Sequence, residues 1–326
     1  MMSLTATRPL RIGVLGCSDI ACRRFLPALR QSQKGELIAV GTRARYASQE
    51  RLGAYHCAIV SYEELLQRND IELIYLSLPN HLHEEWTLRA LVAGKHVLCE
   101  KPLGLDAAAV KRMHAVAAER NRLLYENIMY LQHPQHAAVK AIVTSGRIGR
   151  LRSLRATFTI PALPVKNFRN DPDRGGGAFH DQIRYPLSAA SYFLTGEKYV
   201  FQGEKVKSGE LVTAMHGGGV TEQKEIFRFS IGFGLPYRST YELKGDTGRI
   251  RVERAFTTPA DLANKIVLTC AGRDESFILP AADHFLLTIN HVCDLVTQPQ
   301  LFAAVRAGNE RLATLADDLY RSCHAG

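Results

Sequence analysis

Leu10-Arg11-Ile12-Gly13-Val14-Leu15-Gly16-Cys17-Ser18-Asp19-Ile20-Ala21 decides the fold. Its first six residues form a short, mostly apolar run that ends at a glycine. From residue 19 to 29 the pattern turns helical, with Ile20, Arg24 and Ala28 spaced by four. Strand, glycine, helix is the setting in which a dinucleotide fingerprint carries meaning. That fingerprint asks for glycine at the turn, at the approach of the pyrophosphate and where the helix packs on the strand. Gly16, Ser18 and Ala21 stand at those positions. Ser18 departs from the rule, but it is small and its hydroxyl can face a phosphate. A second apolar run, residues 37–40, closes a first βαβ unit of about 30 residues.

The alternation continues outward from there. Residues 58–60 read as a short strand and 62–67 as a short helix. Residues 71–78 form an apolar strand buried on both faces. Residues 81–92 are helical, stopped by Gly94. Then come a strand at 97–100, a helix at 106–118 capped by Asp106, and a sixth strand at 123–125. Strands alternating with helices at this spacing imply an α/β fold, a doubly wound parallel Rossmann sheet with right-handed crossovers. We assign it residues 1–128.

Beyond about residue 130 the pattern changes. After a helix at 136–144, residues 151–160 alternate: Leu154, Ala156, Phe158 and Ile160 on one face, Ser153, Arg155, Thr157 and Thr159 on the other. Further strands are expected at 199–206, 211–216, 224–233, 239–244, 249–254, 265–270 and 276–279. Gly217-Gly218-Gly219 and Gly245-Asp246-Thr247-Gly248 read as turns between them. Helices at 283–296 and 309–321 close the chain. Residues 129–326 are thus expected to form a C-terminal α+β domain on a largely antiparallel open sheet. With no helical layer evident over that sheet, a homodimer or homotetramer built through it is the expected cover.

Composition narrows the function. A chain of 326 residues with 46% hydrophobic and 22% charged residues is long enough for two packed domains at roughly 100–200 residues each. Its mean hydropathy is −0.11. No apolar run approaches the ~20 residues of a membrane span, and residues 1–9 lack the apolar core of a signal peptide, so a cytoplasmic protein is expected. The seven cysteines are scattered without a Cys-x-x-Cys pair, as reduced thiols would be. The net charge of +9 is dispersed rather than blocked, which points to an anionic small molecule and away from nucleic acid.

Two stretches carry the chemistry. Val97-Leu98-Cys99-Glu100-Lys101-Pro102 delivers a carboxylate and an ammonium to the C-terminal end of a buried strand, where open α/β sheets place their ligands. A lysine there can donate a proton or hydrogen bond to a carbonyl oxygen as hydride reaches the carbon. After the second strand stands Gly41-Thr42-Arg43-Ala44-Arg45, where an acidic residue would favour NAD. Thr42, Arg43 and Arg45 instead favour the 2′-phosphate of NADP(H).

The order of the degenerate fingerprint, Leu78-Pro79-Asn80-x-x-His83 and Glu100-Lys101-Pro102 resembles the Gfo/Idh/MocA oxidoreductases. Glu126-Asn127-x-Met129-Tyr130-x-x-His133-Pro134-Gln135-His136, Phe158-Thr159-Ile160-Pro161 and Gly175-Gly176-Gly177-Ala178-x-x-Asp181-x-x-x-Tyr185-Pro186 look like its NDP-hexose 3-ketoreductase branch, as do Tyr241-Glu242-x-x-Gly245-x-Thr247-Gly248-Arg249 and Phe256-Thr257-x-Pro259. Many family members have histidine where this branch, and this chain, has Tyr185. The resemblance implies NADPH-dependent reduction of the C3 ketone of a dTDP-linked keto-deoxysugar. It implies Lys101 and Tyr185 flanking the carbonyl, with Asp181 ordering the site. Cofactor contacts are implied from Gly16, Cys17, Ser18, Asp19, Ile20, Leu78, Pro79, Asn80, His83, Glu100, Lys101 and Asn127. A neighbouring ammonium is expected to favour the phenolate of Tyr185. Arg169 and Arg174 suit a diphosphate. Between Asp181 and Tyr185 the branch usually has small or apolar residues. Here Gln182, Ile183 and Arg184 stand instead, preceded by Phe179 and His180. His180 and Arg184 are expected to bind substrate, and the larger polar groups signal a reshaped sugar pocket, or equally a substrate other than a sugar nucleotide or a loss of the hydride chemistry.

Two other functions remain open on the sequence: the same apparatus acting on another ketone, polyol or imine, and a non-redox member that keeps the fold for binding or for cofactor-independent chemistry. His81 with His83 and His133 with His136 have metal-like spacing but no carboxylate or cysteine joins them, so no metal site is expected. Asp19 favours the positive end of the first helix, and Trp86 reads as core. Tyr-x-x-x-Lys, Gly-x-x-x-x-Gly-Lys-Ser/Thr, Gly-x-Ser-x-Gly and His-Glu-x-x-His are all missing from the sequence.

Overall fold

The computed structural model describes residues 8–43 and 45–325. Six parallel strands form the first sheet: β1 (Leu10–Leu15), β2 (Gly35–Gly41), β3 (Ala58–Val60), β4 (Leu73–Leu76), β5 (His96–Glu100) and β6 (Leu124–Asn127), in the order β3-β2-β1-β4-β5-β6. The order reverses between β1 and β4, which opens a crevice at their C-terminal ends. A π-helical turn (Ala21–Phe25) running into α1 (Leu26–Gln31) follows β1. The other crossovers are α2 (Arg45–Leu52), α3 (Tyr62–Gln67), α4 (His83–Val92) and α5 (Ala107–Glu119). Local chemistry starts and stops them. Ser61 and Glu64 form a capping box on α3, Asp106 accepts from Ala109 N at α5, and Gly94, at φ +77, ends α4.

After α6 (Pro134–Thr144) the chain enters a nine-stranded sheet that begins with β7 (Leu151–Ile160). Two short helices follow, α7 (Ala178–Gln182) and α8 (Arg184–Phe193). The next strands are β8 (Tyr199–Ser208), β9 (Leu211–Thr221), β10 (Ile226–Phe233), β11 (Arg238–Gly245) and β12 (Gly248–Glu253). β13 (Asn264–Cys270), β14 (Arg273–Leu279) and, at the chain end, β15 (Cys323–Ala325) complete the sheet. Its order is β14-β13-β12-β11-β7-β10-β9-β8-β15. The pairs β7·β10 and β8·β15 are parallel and the rest antiparallel. α9 (His284–Val296) and α10 (Phe302–Ser322) return to pack on α1, α5 and β6 of the first sheet. No described helix is long and apolar enough to cross a membrane.

Two expectations are corrected here. Gly217-Gly218-Gly219 is not a turn but the middle of β9. A Cβ at Gly218 would lie 2.0 Å from Phe227 O, and one at Gly217 2.5 Å from Gln202 O, so close approach of neighbouring strands selects glycine there. The second sheet also has a helical layer: α6, α7 and α8 pack on one face of it. The opposite face is largely charged, with Arg152, Arg155, Arg228, Arg249 and Arg251 exposed.

Candidate active site

The crevice and the second sheet meet in a cleft of about 690 Å³. Its floor is the turn after β1. Gly16 has φ +104 and a Cβ there would lie 2.8 Å from Leu78 Cδ2, so only glycine lets the turn close against the end of β4. Ser18 Oγ donates to Ser77 Oγ (2.9 Å) and accepts from Ala21 N (3.2 Å), fixing the start of the helix. Its hydroxyl is therefore engaged within the protein, although Ser18, Asp19 and Ile20 all line the cleft. The Cys17 side chain turns away toward Cys22, and Asp19 pairs with Arg51 at 2.5 Å. A second cleft of about 560 Å³ beside β2 is lined by Thr42 and Arg43, with the Arg43 guanidinium 5.5 Å from the Tyr62 ring. The side chain of Arg45 lies outside the described residues.

The loop after β4 is stitched on both sides. Leu78, Pro79 and Asn80 line the cleft. Asn80 Nδ2 donates to Gly175 O (2.8 Å), and His83, fully buried, sets Nδ1 2.7 Å from Pro102 O and Nε2 2.8 Å from Leu78 O. At the end of β5, Glu100 is buried and accepts from Tyr75 OH (2.7 Å) and Asn127 Nδ2 (2.6 Å). Burial pushes its pKa up. Asn127 does not line the cleft; it supports Glu100.

Lys101, Asp181 and Tyr185 come together from opposite halves of the chain. Lys101 Nζ donates to Asp181 O (2.5 Å) and Oδ1 (2.9 Å) and lies 5.3 Å from the Tyr185 ring centroid. Arg169 Nε donates to the same Oδ1 at 2.8 Å. Burial alone would raise the pKa of Asp181, but the Lys101 and Arg169 charges overcome it and hold the carboxyl well below its usual range. Tyr185 behaves oppositely to the sequence expectation. Burial first, then the Asp181 and Glu100 carboxylates, push its pKa well above 10.0. The charge of Lys101 is absorbed by Asp181, so Tyr185 is held as the phenol rather than drawn toward the phenolate. Tyr130, Phe158 and Phe256 pack around its ring at centroid distances of 5.8, 4.6 and 5.5 Å. Tyr185 lines the cleft, and among the described residues its hydroxyl has no hydrogen-bond partner.

The loop carrying Arg169 is held by glycine. A Cβ at Gly176 would fall 2.5 Å from Asp171 O and 2.6 Å from Arg169 O. Arg169 and Arg174 both line the cleft. His180 and Arg184 do not, and their assignment to substrate is corrected. His180 packs edge-on against Phe179, with burial pushing its pKa down to about 4. Arg184 is 3% exposed. Its Nε donates to Glu126 Oε1 (2.9 Å) and its Nη1 to Leu312 O (3.2 Å). Gln182 and Ile183 are buried too, so none of the three side chains of this segment lines the cleft. Lining residues that the sequence reading missed include Arg23, Arg24, Lys166 and Phe168. The Arg23-Arg24 pair directly after the fingerprint was the available signal.

Residues 10–128 match the model of an oxidoreductase family with an NAD-binding Rossmann fold, and residues 136–251 match the Gfo/Idh/MocA C-terminal domain. The chain belongs to the Gfo/Idh/MocA oxidoreductase family. It is 40% identical over 287 residues to the dTDP-3,4-didehydro-2,6-dideoxy-alpha-D-glucose 3-reductase of Actinomadura kijaniata, covering 86% of each. It is 39% identical over 279 residues to the enzyme of the same name from Saccharopolyspora spinosa, covering 85% of this chain and 84% of that one. Its fold superposes with a TM-score of 0.93 on KijD10, a 3-ketoreductase from Actinomadura kijaniata solved with NADP and TDP-benzene. That match has 36% identity and covers 98% of this chain and 99% of the other.

Proposed function

We propose that this protein reduces the C3 ketone of a dTDP-linked keto-deoxysugar with NADPH. The observation that carries the reading is the meeting of a lysine from the first half with a neutral tyrosine from the second, 5.3 Å apart, beside one cleft. The relatives at 39–40% identity, each covering more than four-fifths of the chain, supply the substrate class. The residues present fit a dinucleotide: the turn at Gly16 leaves no room for a Cβ, and the crevice opens where the strand order reverses. Gly16 through Ile20 and Leu78 through Asn80 would hold it in the larger cleft, with Thr42 and Arg43 at the 2′-phosphate end.

When bound, NADPH supplies hydride to the carbonyl carbon. The proton goes to the carbonyl oxygen, and Tyr185, kept as a phenol with its hydroxyl free, is placed to give it. The Lys101 ammonium has three donors. Asp181 takes two of them, so the third remains for the carbonyl oxygen. Asp181 holds the ammonium in place, and Arg169 adds a second positive charge on the same carboxylate. Arg174 and Lys166, lining the same cleft, suit the diphosphate.

Consumption of NADPH with a dTDP-3,4-diketo-2,6-dideoxyhexose, and none with simple ketones or polyols, is the expected result. Turnover on the simple compounds alone would overturn the substrate assignment, and NADP binding without any carbonyl turnover would overturn the redox reading. Arg43→Ala should erase the preference for NADPH over NADH; an unchanged preference would remove Arg43 from the 2′-phosphate site. The same reading divides the chain into a cofactor half (1–128) and a substrate half (129–326). It places the protein in a reducing compartment, which suits its free cysteines. Self-association through the open sheet face is part of it: Val200, Val220 and Ile226 are cross-strand neighbours exposed there. Light scattering showing a monomer would count against that contact.

A further inference from the structure

Cys17 and Cys22 are not used by the chemistry above, yet their sulfurs lie 3.4 Å apart. Both side chains are half-buried, within reach of a small oxidant. Cys17 is the residue between Gly16 and Ser18 in the cofactor turn, and Cys22 lies in the π-helical turn that opens the following helix. We infer that Cys17 and Cys22 form a reversible disulfide that weakens NADP(H) binding.

Hydrogen peroxide or a low-mass disulfide is the oxidant. With peroxide, Cys17 sulfur becomes a sulfenic acid and one water leaves. The Cys22 thiol then attacks that sulfur, its proton leaves with the hydroxyl as a second water, and the S–S bond forms. With glutathione disulfide, two glutathione thiols are released instead. Burial pushes the Cys22 thiol up to about 12, which suits it to the resolving role.

The consequence for the cofactor follows from how the turn is tied. Bonding requires the sulfurs to close from 3.4 Å to about 2.05 Å. Gly16 cannot follow freely: its N–H donates to Gly41 O (3.0 Å) and its carbonyl accepts from Ser77 Oγ (3.0 Å). Ser18 is likewise tied to Ser77. The closure is therefore taken up within the turn, and the peptide units joining Cys17 to its tethered neighbours are bent out of the geometry in which Ser18 lines the cleft. Because coupling between two binding events is reciprocal, NADP+ must disfavour the disulfide by the same factor. A third thiol, Cys57, lies in electrostatic reach of Cys17 and is the competing partner.

The test is a redox titration of the whole protein in glutathione buffers with and without saturating NADP+. The disulfide is read by mass on the tryptic peptide 12–23, which holds both cysteines. Oxidation should remove two hydrogens from that peptide and weaken NADP+ binding about tenfold, and NADP+ should make the pair harder to oxidise by about 30 mV. Cys57→Ser should behave as wild type, and Cys22→Ser should show no two-hydrogen loss. Failure to form the bond in fully oxidising buffer, a bond from Cys17 to Cys57, or equal NADP+ affinity in the two redox states would each overturn the inference.

Discussion

Asp181→Asn tests the electrostatics of the site in depth. The Asp181 side chain is 10% exposed and its Oδ1 serves two cations, at 2.9 Å from Lys101 Nζ and 2.8 Å from Arg169 Nε. Asparagine keeps the shape and an acceptor but removes the charge. Leaving the buried Lys101 ammonium without its counter-charge costs about 3 kcal/mol of stability, while the half-buried Arg169 adds little. The loss is read as a lower urea midpoint at unchanged slope. The catalytic effect has a definite sign. After burial, the Asp181 charge is the first cause holding the Tyr185 pKa up. Removing it lowers that pKa, so the phenol is lost at a lower pH. The basic limb of kcat, followed by NADPH consumption at saturating sugar through the neutral and alkaline range, should therefore move down by about one pH unit. A basic limb that stays in place or moves up would refute the assignment of Tyr185 as the acid, and an unchanged urea midpoint would refute the ion-pair argument.

Arg184→Met should destabilise by about 3–5 kcal/mol because Glu126, with no exposed side-chain area, keeps an unpaired charge in the core. Adding Glu126→Gln should recover part of that loss, and strict additivity in urea unfolding would deny their coupling. Acid should also destabilise the fold through His136 and His284, which burial holds neutral down to about 3. Their folded pKa values lie below the ordinary 6.5, so the unfolded chain binds more protons below that pH, and stability falls as pH drops from about 6.5 toward 3. At pH 5 each should cost about 2 kcal/mol relative to neutral pH. Equal urea midpoints at pH 7 and 5 would contradict this.

The parallel half was legible because its strands are short apolar runs between turn residues, and β1, β3, α3 and β5 fall within one residue of their expected bounds. The second half was harder for physical reasons. A glycine run signals either a turn or a close backbone approach, and only the pairing of β9 between β8 and β10 decides between them. Pro186 reads as a breaker, yet in the first turn of α8 its missing N–H costs no hydrogen bond. In the site, Lys101, Asp181 and Tyr185 were found by motif. The direction of a side chain from a helix was not: Arg184 and Tyr185 are adjacent, and one enters the core while the other faces the cleft. The protonation of Tyr185 also needed coordinates, since it depends on which group absorbs the lysine charge.

Single-turnover reduction of the dTDP-diketo sugar by Lys101→Ala, Tyr185→Phe and the double variant, alongside NADPH affinity, tests the central claim most directly. The lysine change should slow reduction by about 100-fold or more, the tyrosine change less because water can replace the hydroxyl, and the double change most, with NADPH affinity preserved throughout. A double variant that reduces the ketone at the wild-type rate would show that neither group handles the proton.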